Sequence, residues 1–143
     1  MRARFFAFTI LPMPANLNAV EIKAFVPSRD FAVSKAFYLA LGFEIPWSDD
    51  DLAYVRHGST AFLLQRFYEP AHAANYQMHF LVENADDWHA HVMASGVVER
   101  FDVQVGAVEE RPWAMRDFVM FDPAGVMWRI AHNIPRKPPS QST

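Results

Sequence analysis

The feature that most constrains this chain is an order of elements that occurs twice. Residues 19–26 (AVEIKAFV) alternate apolar with other side chains, the pattern of a half-buried strand. After Pro27, Ser28 is placed to cap a helix over residues 30–41 (DFAVSKAFYLAL), and Gly42 stops it. Three short strands follow, over residues 43–47, 52–56 and 60–66. The second half repeats the order, with a strand over 76–82, a helix over 85–95 closed by Gly96, and strands over 98–104, 116–121 and 125–132. Val26 and Val82 stand 56 residues apart, Gly42 and Gly96 stand 54 apart, and a period of that size marks a repeated supersecondary unit. Neither half buries a face of its small sheet alone. The expected fold is therefore α+β, two tandem β-α-β-β-β modules forming curved mixed sheets around a cavity. One turn is sharply defined: Asp122-Pro123-Ala124-Gly125 has the residue preferences of a type I turn and should join the last two strands as a hairpin.

A chain of 143 residues makes one domain of ordinary size. The modules fall at about 19–66 and 76–132, within a domain spanning 19–132. Residues 1–18 are expected to form an extension, read either as an arm that packs on a partner chain or as a segment upstream of an internal start at Met13. The run MRARFFAFTIL superficially suggests a secretory signal, but it is short and lacks a cleavage site before Pro12. Residues 133–143 (NIPRKPPSQST) read as a disordered tail. The absence of cysteine excludes disulfides, thiolate metal sites and cysteine nucleophiles, and fits a reducing compartment, so the cytoplasm is the expected location. Thirteen basic against sixteen acidic residues leave no broad basic field, which argues against nucleic acid and membrane surfaces as partners. Thirteen Phe, four Trp, four Tyr and seven Met supply a core and also suit the lining of a site for a large aromatic ligand.

Three stretches, FVPSRDFAVSKAFYLALGF, HFLVENADDWHAHVMASGV and RPWAMRDFVMFDPAGVMWRI, together resemble the vicinal-oxygen-chelate superfamily of glyoxalases, ring-cleaving dioxygenases and bleomycin-resistance proteins. The resemblance covers residues 19–132 and is strongest to the bleomycin-resistance-like branch. It implies two modules whose sheets enclose a cavity, often completed by a homodimer. Catalytic members hold a divalent metal, which chelates vicinal substrate oxygens, through His, Glu or Gln on the first and last strands of each module. Here those positions fall on Glu21, on Phe62 or Leu64, on Gln77 and on Arg129. Two weak oxygen donors and a guanidinium make a poor metal site. A shifted register would bring in His79, whereas His57, His72, His89, His91 and His132 read as surface or supporting residues.

The expectation is thus a metal-free protein without cofactor that sequesters a small aromatic or glycopeptide-like compound, such as a bleomycin-type antibiotic. Its expected pocket is lined by Glu21, Lys23, Phe25, Phe62, Leu64, Gln77, His79, Phe118, Met127 and Arg129, with Trp113 and Arg116 at the mouth. Glu21 and Arg129 are candidates for a salt bridge across the cavity. Two rivals remain: a metal-dependent lyase, isomerase or dioxygenase using Glu21, His79 and Gln77, and a scaffold that fills its own groove and acts through dimerisation.

Overall fold

The computed structural model describes residues 13–136 and residue 138, so what was read in residues 1–12, and in the tail at 137 and 139–143, lies outside the described residues. The chain runs β1 (Phe25–Pro27), α1 (Phe31–Ala40), β2 (Glu44–Ser48), β3 (Leu52–His57) and β4 (Thr60–Gln65). It continues through α2 (Pro70–Ala74), β5 (Gln77–Leu81), α3 (Ala85–Ala94), α4 (Val97–Phe101), β6 (Glu109–Arg111), β7 (Met115–Phe121) and β8 (Met127–Asn133). Two four-stranded mixed sheets result, ordered β1-β4-β3-β2 and β5-β8-β7-β6, and each has one parallel pair joining its first and last strands. The expected α+β tandem is therefore what the chain forms, with two separate sheets that do not close into one.

Local chemistry explains most boundaries. Asp30, rather than Ser28, caps α1 by accepting a hydrogen bond from the Val33 N–H. Ser28 instead ties the end of β1 to the neighbouring strand: its hydroxyl donates to the Gln65 carbonyl at 2.7 Å and its N–H to the Phe67 carbonyl. Asn84 caps α3 through the Asp87 N–H, and Gly42, at φ +96°, follows α1 in the left-handed conformation that ends helices. The hairpin at Asp122 forms as read, with Oδ1 of Asp122 accepting from the N–H groups of Ala124 and Val126.

Three sequence readings are corrected. The first strand is only three residues long, because Val20 and Ile22 are 92% and 97% exposed and have nothing to pack against. Residues 98–104 are not a strand: α4 forms there, bounded by Gly96 and Asp102 in left-handed geometry, with Val97 buried. The fourth strand of the second sheet comes instead from Glu109–Arg111, a charged segment that the sequence pattern does not mark as a strand. A short α2, with Pro70 at its start and a Glu69 cap, was not anticipated.

One core lies between the two sheets and the helices. Ala53 and Val55 of β3, Phe62 and Leu64 of β4, and Trp128 and Ile130 of β8 are buried in the same cluster. The rings of Phe62 and Trp128 meet at 5.3 Å, and Tyr38 of α1 touches both, at 5.0 and 5.7 Å. At the centre the Tyr38 hydroxyl donates to Asp122 Oδ2 at 2.6 Å and accepts from Trp128 Nε1 at 2.9 Å, so a polar link joins the helix of one module to the last hairpin of the other. The helix-bearing faces of both sheets thus face inward. Since side chains alternate across a strand, the opposite faces, which were expected to enclose a cavity, point outward and stand open.

Candidate functional site

The register of the second sheet assembles the candidate site. Across β5 and β8, Gln77 pairs with Met127, His79 with Arg129 and Leu81 with Ala131, and partners in register share a face. Across β7 and β8, Asp117 pairs with Ala131 and Val119 with Arg129, so both join the same outward face. Arg129 Nη1 donates to Asp117 Oδ2 at 3.0 Å, and Arg111 Nε donates to the other oxygen of that carboxylate at 2.8 Å. Asp117 itself is fully buried beneath the two guanidinium groups. Glu109 lies 3.2 Å from Arg111 on the exposed side, and the hydrogen bond from Arg111 to Asp117 holds that guanidinium above its ordinary pKa. Trp113 stands in the β6–β7 turn with its ring centre 5.8 Å from the Arg129 guanidinium carbon, a cation–π arrangement. That turn is fixed by Ala114 at φ 62°, whose carbonyl accepts from the Ile134 N–H.

The first sheet presents a different face. Phe25 pairs with Leu63, and Leu63 with Tyr54, all outward. Glu21 lies over this face and accepts from Lys23 Nζ at 2.8 Å and from the Tyr54 hydroxyl at 2.7 Å, contacts that lower its pKa in that order of importance. Lys23 Nζ also sits 5.6 Å from the centre of the Tyr54 ring. Glu21 therefore makes no bridge to Arg129, whose partner is Asp117. Matching the buried pair Phe62 and Leu64 with the buried pair Trp128 and Ile130 makes Leu63 the counterpart of Arg129. The outward positions of the two modules are then Phe25 and Leu63 in one, and His79 and Arg129 in the other.

Those four do not fit a divalent metal. Phe25 and Leu63 offer no donor, and Arg129 brings a positive charge beside the single imidazole of His79. Among the described residues no three His, Asp or Glu side chains gather closely enough to hold a metal ion.

Of the residues expected to line a pocket, Phe25, Gln77, His79, Met127 and Arg129 share outward faces, Trp113 stands over Arg129, and Glu21 and Lys23 cover the first sheet. Phe62, Leu64 and Phe118 do not belong with them. They are buried on the inward faces, where Phe118 packs edge-on against His89 at 5.0 Å. Arg116 is also turned away: its guanidinium makes two 2.8 Å hydrogen bonds to Asp86 in the first turn of α3. Sequence reasoning missed Asp117, Arg111 and Tyr54. A signal for Asp117 was present, because a charged residue alternating in phase with Val119 in a largely apolar strand must face away from the core or find a partner. Recesses of about 580 Å³ and about 420 Å³ lie elsewhere, the first between the β3–β4 turn and α3 and the second beyond Arg111.

Among the described residues no helix is long and apolar enough to cross a membrane. No curated protein sequence matches this chain. In fold it is similar to a bleomycin-binding protein solved with bleomycin (TM-score 0.70, 22% identity, covering 79% of this chain and 98% of that one). It is also similar to the bleomycin-binding protein of Streptomyces verticillus solved with copper(II)-bleomycin (TM-score 0.65, 23% identity, 87% and 100%). Lactoylglutathione lyase from Agrobacterium tumefaciens shares the fold at TM-score 0.59 and 16% identity, covering 80% of this chain and 94% of that one. The family model that describes the glyoxalase/bleomycin resistance protein/dioxygenase superfamily matches residues 20–130, and the chain belongs to that superfamily.

Proposed function

We propose that this protein binds and sequesters a small molecule, in the manner of the bleomycin-resistance-like branch, as a homodimer whose grooves form when outward sheet faces of two copies meet. The observation that carries this reading is the outward face of the second sheet. It offers Gln77, His79 and Met127 beside an Arg129 fixed by a buried carboxylate and covered by Trp113, a mixture of flat apolar surface and directional donors that suits a large, partly planar ligand. Binding alone accounts for such a site, and sequestration needs affinity and abundance without turnover.

The dimer is supported by what a single chain leaves uncovered. Leu17, Val20 and Ile22 are each about nine-tenths exposed in an irregular segment, and Phe25, Trp47, Leu81 and Trp113 are half exposed on or beside the outward faces. A second copy is the partner that would cover an arm and two faces of this kind by symmetry. In the cytoplasm, where a cysteine-free chain is at home, such a dimer would lower the free concentration of a toxic compound, and a bleomycin-type antibiotic is the first to test.

The experiment is a calorimetric titration of the purified protein with copper(II)-bleomycin, alongside sedimentation velocity. Saturable binding by a dimer, weakened in both Arg129→Ala and Trp113→Ala, is expected. Equal affinity in the wild type and both variants places the ligand elsewhere and refutes the site; a monomer at all accessible concentrations refutes the dimer.

A further inference from the structure

We infer that the outward face of the second sheet is an oxyanion-recognition site, and that the protein's ligand carries a carboxylate or comparable planar anion next to an aromatic ring. The inference deepens the binding role proposed above, on which it rests, and narrows it: a bleomycin offers amide carbonyls and cationic groups but no carboxylate, so it would reach Arg129 through a carbonyl oxygen only and is not the anionic ligand inferred.

The argument starts from how Asp117 is spent. Its two oxygens each accept from a different guanidinium, Arg111 on one and Arg129 on the other, and the carboxylate is fully buried beneath them. A guanidinium has five N–H donors in a rigid plane. Among the described residues, Arg129 uses one of these, through Nη1, and its Nε and Nη2 donate no hydrogen bond. Its side chain is 25% exposed, so the unspent edge is neither sealed in the core nor fully hydrated. Asp117 thus holds Arg129 in one orientation without occupying the pair of parallel donors that fits a carboxylate edge-on. The same buried anion also lowers the entropic cost of using Arg129, because the side chain is already fixed before a ligand arrives.

The surroundings choose between anion and cation. His79 lies in register with Arg129 across the parallel pair and adds a neutral donor or a second positive charge, never a negative one. Among the described residues, the carboxylates that pair with this cluster are Asp117, with both oxygens engaged, and Glu109, whose side chain is 62% exposed and lies against Arg111 rather than Arg129. A cationic group placed beside Arg129 would therefore meet a guanidinium and an imidazole with no free carboxylate to offset them. Trp113, half exposed and with its ring centre 5.8 Å from the guanidinium carbon, supplies the flat apolar partner for a ring attached to the anion.

The test uses three probes of one shape and different charge: 2-naphthoate, 2-naphthamide and 2-naphthylmethylammonium, each titrated calorimetrically into the full-length protein in low salt. Naphthoate is expected to bind about 10- to 100-fold tighter than the amide, the gain of one or two hydrogen bonds to a charged donor, and the ammonium weakest of all. Arg129→Gln should bring acid and amide to nearly equal affinity by weakening the acid far more than the amide, and Arg129→Lys should restore only part of the difference. Were Arg129→Gln to fold poorly, the wild-type ratio, with its decline as salt rises, decides in its place. Equal affinity for acid and amide, or a preference for the ammonium, overturns the anion site and leaves the binding role intact. If none of the three binds and copper(II)-bleomycin fails as well, the binding role itself falls. An acid preference that survives in Arg129→Gln also overturns the assignment.

Discussion

Replacing Tyr38 with Phe tests the link that joins the two modules. The change deletes a single oxygen, yet that oxygen donates to Asp122 at 2.6 Å and accepts from the Trp128 indole at 2.9 Å, and both partners are 3% exposed. A buried polar group left without its partner costs about 1–3 kcal/mol, so two of them together should cost about 3–4 kcal/mol after some relaxation. That is a large share of the 5–15 kcal/mol typical of a domain, and corresponds to a fall of roughly 10 °C in melting temperature. The effect should also depend on pH. Burial pushes the Asp122 carboxyl up to about 6, against the pull of the Tyr38 hydroxyl and the N–H groups of Val126, Ala124 and Gly125. Because the folded-state value lies above the unfolded one, this group contributes stability that is complete below about pH 4 and is lost as pH rises through about 6. The whole swing is about 3 kcal/mol, from a shift of about two pH units at about 1.4 kcal/mol each. Removing the Tyr38 hydroxyl takes away the strongest of the hydrogen bonds that favour the ionised form, so the loss continues above pH 6 and Tyr38→Phe is more damaging at pH 8 than at pH 5. Urea denaturation of wild type and variant at pH 5, 6.5 and 8, at one protein concentration, measures both quantities. A cost below about 1 kcal/mol, or one that stays the same across that range, would refute the reasoning.

The assignment of strand faces predicts opposite results for two neighbours: Phe62→Ala should cost about 3–5 kcal/mol in urea denaturation, whereas Leu63→Ala should change stability by less than about 1 kcal/mol and instead weaken dimerisation seen by sedimentation. Asp117→Asn should destabilise the protein by about 1–3 kcal/mol, since two guanidinium groups lose the anion they share, and should also erode the preference for naphthoate over its amide by releasing Arg129. Arg116→Ala, which breaks an exposed pair with Asp86 on the inward side, should leave both the urea midpoint and the naphthoate affinity unchanged.

What could be read from the sequence followed from where local chemistry decides the structure. Both long helices with their glycine stops and the Asp122 hairpin rest on residues whose preferences act over a few positions, and these elements stand where they were read, although the cap of α1 is Asp30 and not Ser28. The segment at 98–104 (VERFDVQ) was not decidable in this way, because Val98, Phe101 and Val103 are spaced by three and then by two and so fit neither period alone; the helix that forms begins one residue earlier, at the buried Val97. Face parity was legible in β1, β5 and β8 but not in β4 or β7. In β8 the charge of Arg129 marks which side is outward, so Gln77, His79 and Met127 followed from register. In β4 the run Phe62-Leu63-Leu64 is apolar on both sides, and a strand of that kind carries no mark of its orientation. Counting then placed Phe62 and Leu64 where Leu63 stands. Asp117 was missed for a related reason, since its importance comes from Arg111 and Arg129, which reach it from separate strands.

The separation of inward from outward residues along β4 and β8 bears on how such a protein changes over time. On the proposed binding role, substitutions at Leu63, Met127 or Arg129 would redraw what the surface recognises while the packing of Phe62, Trp128 and Ile130 continues undisturbed, so a new ligand could be acquired in small steps without first weakening the molecule. Asp117 is where that independence ends: it lies on the outward face yet is completely buried between two guanidinium groups, so a lineage that changed this face would have to keep the carboxylate with a cation to match or replace the whole trio together.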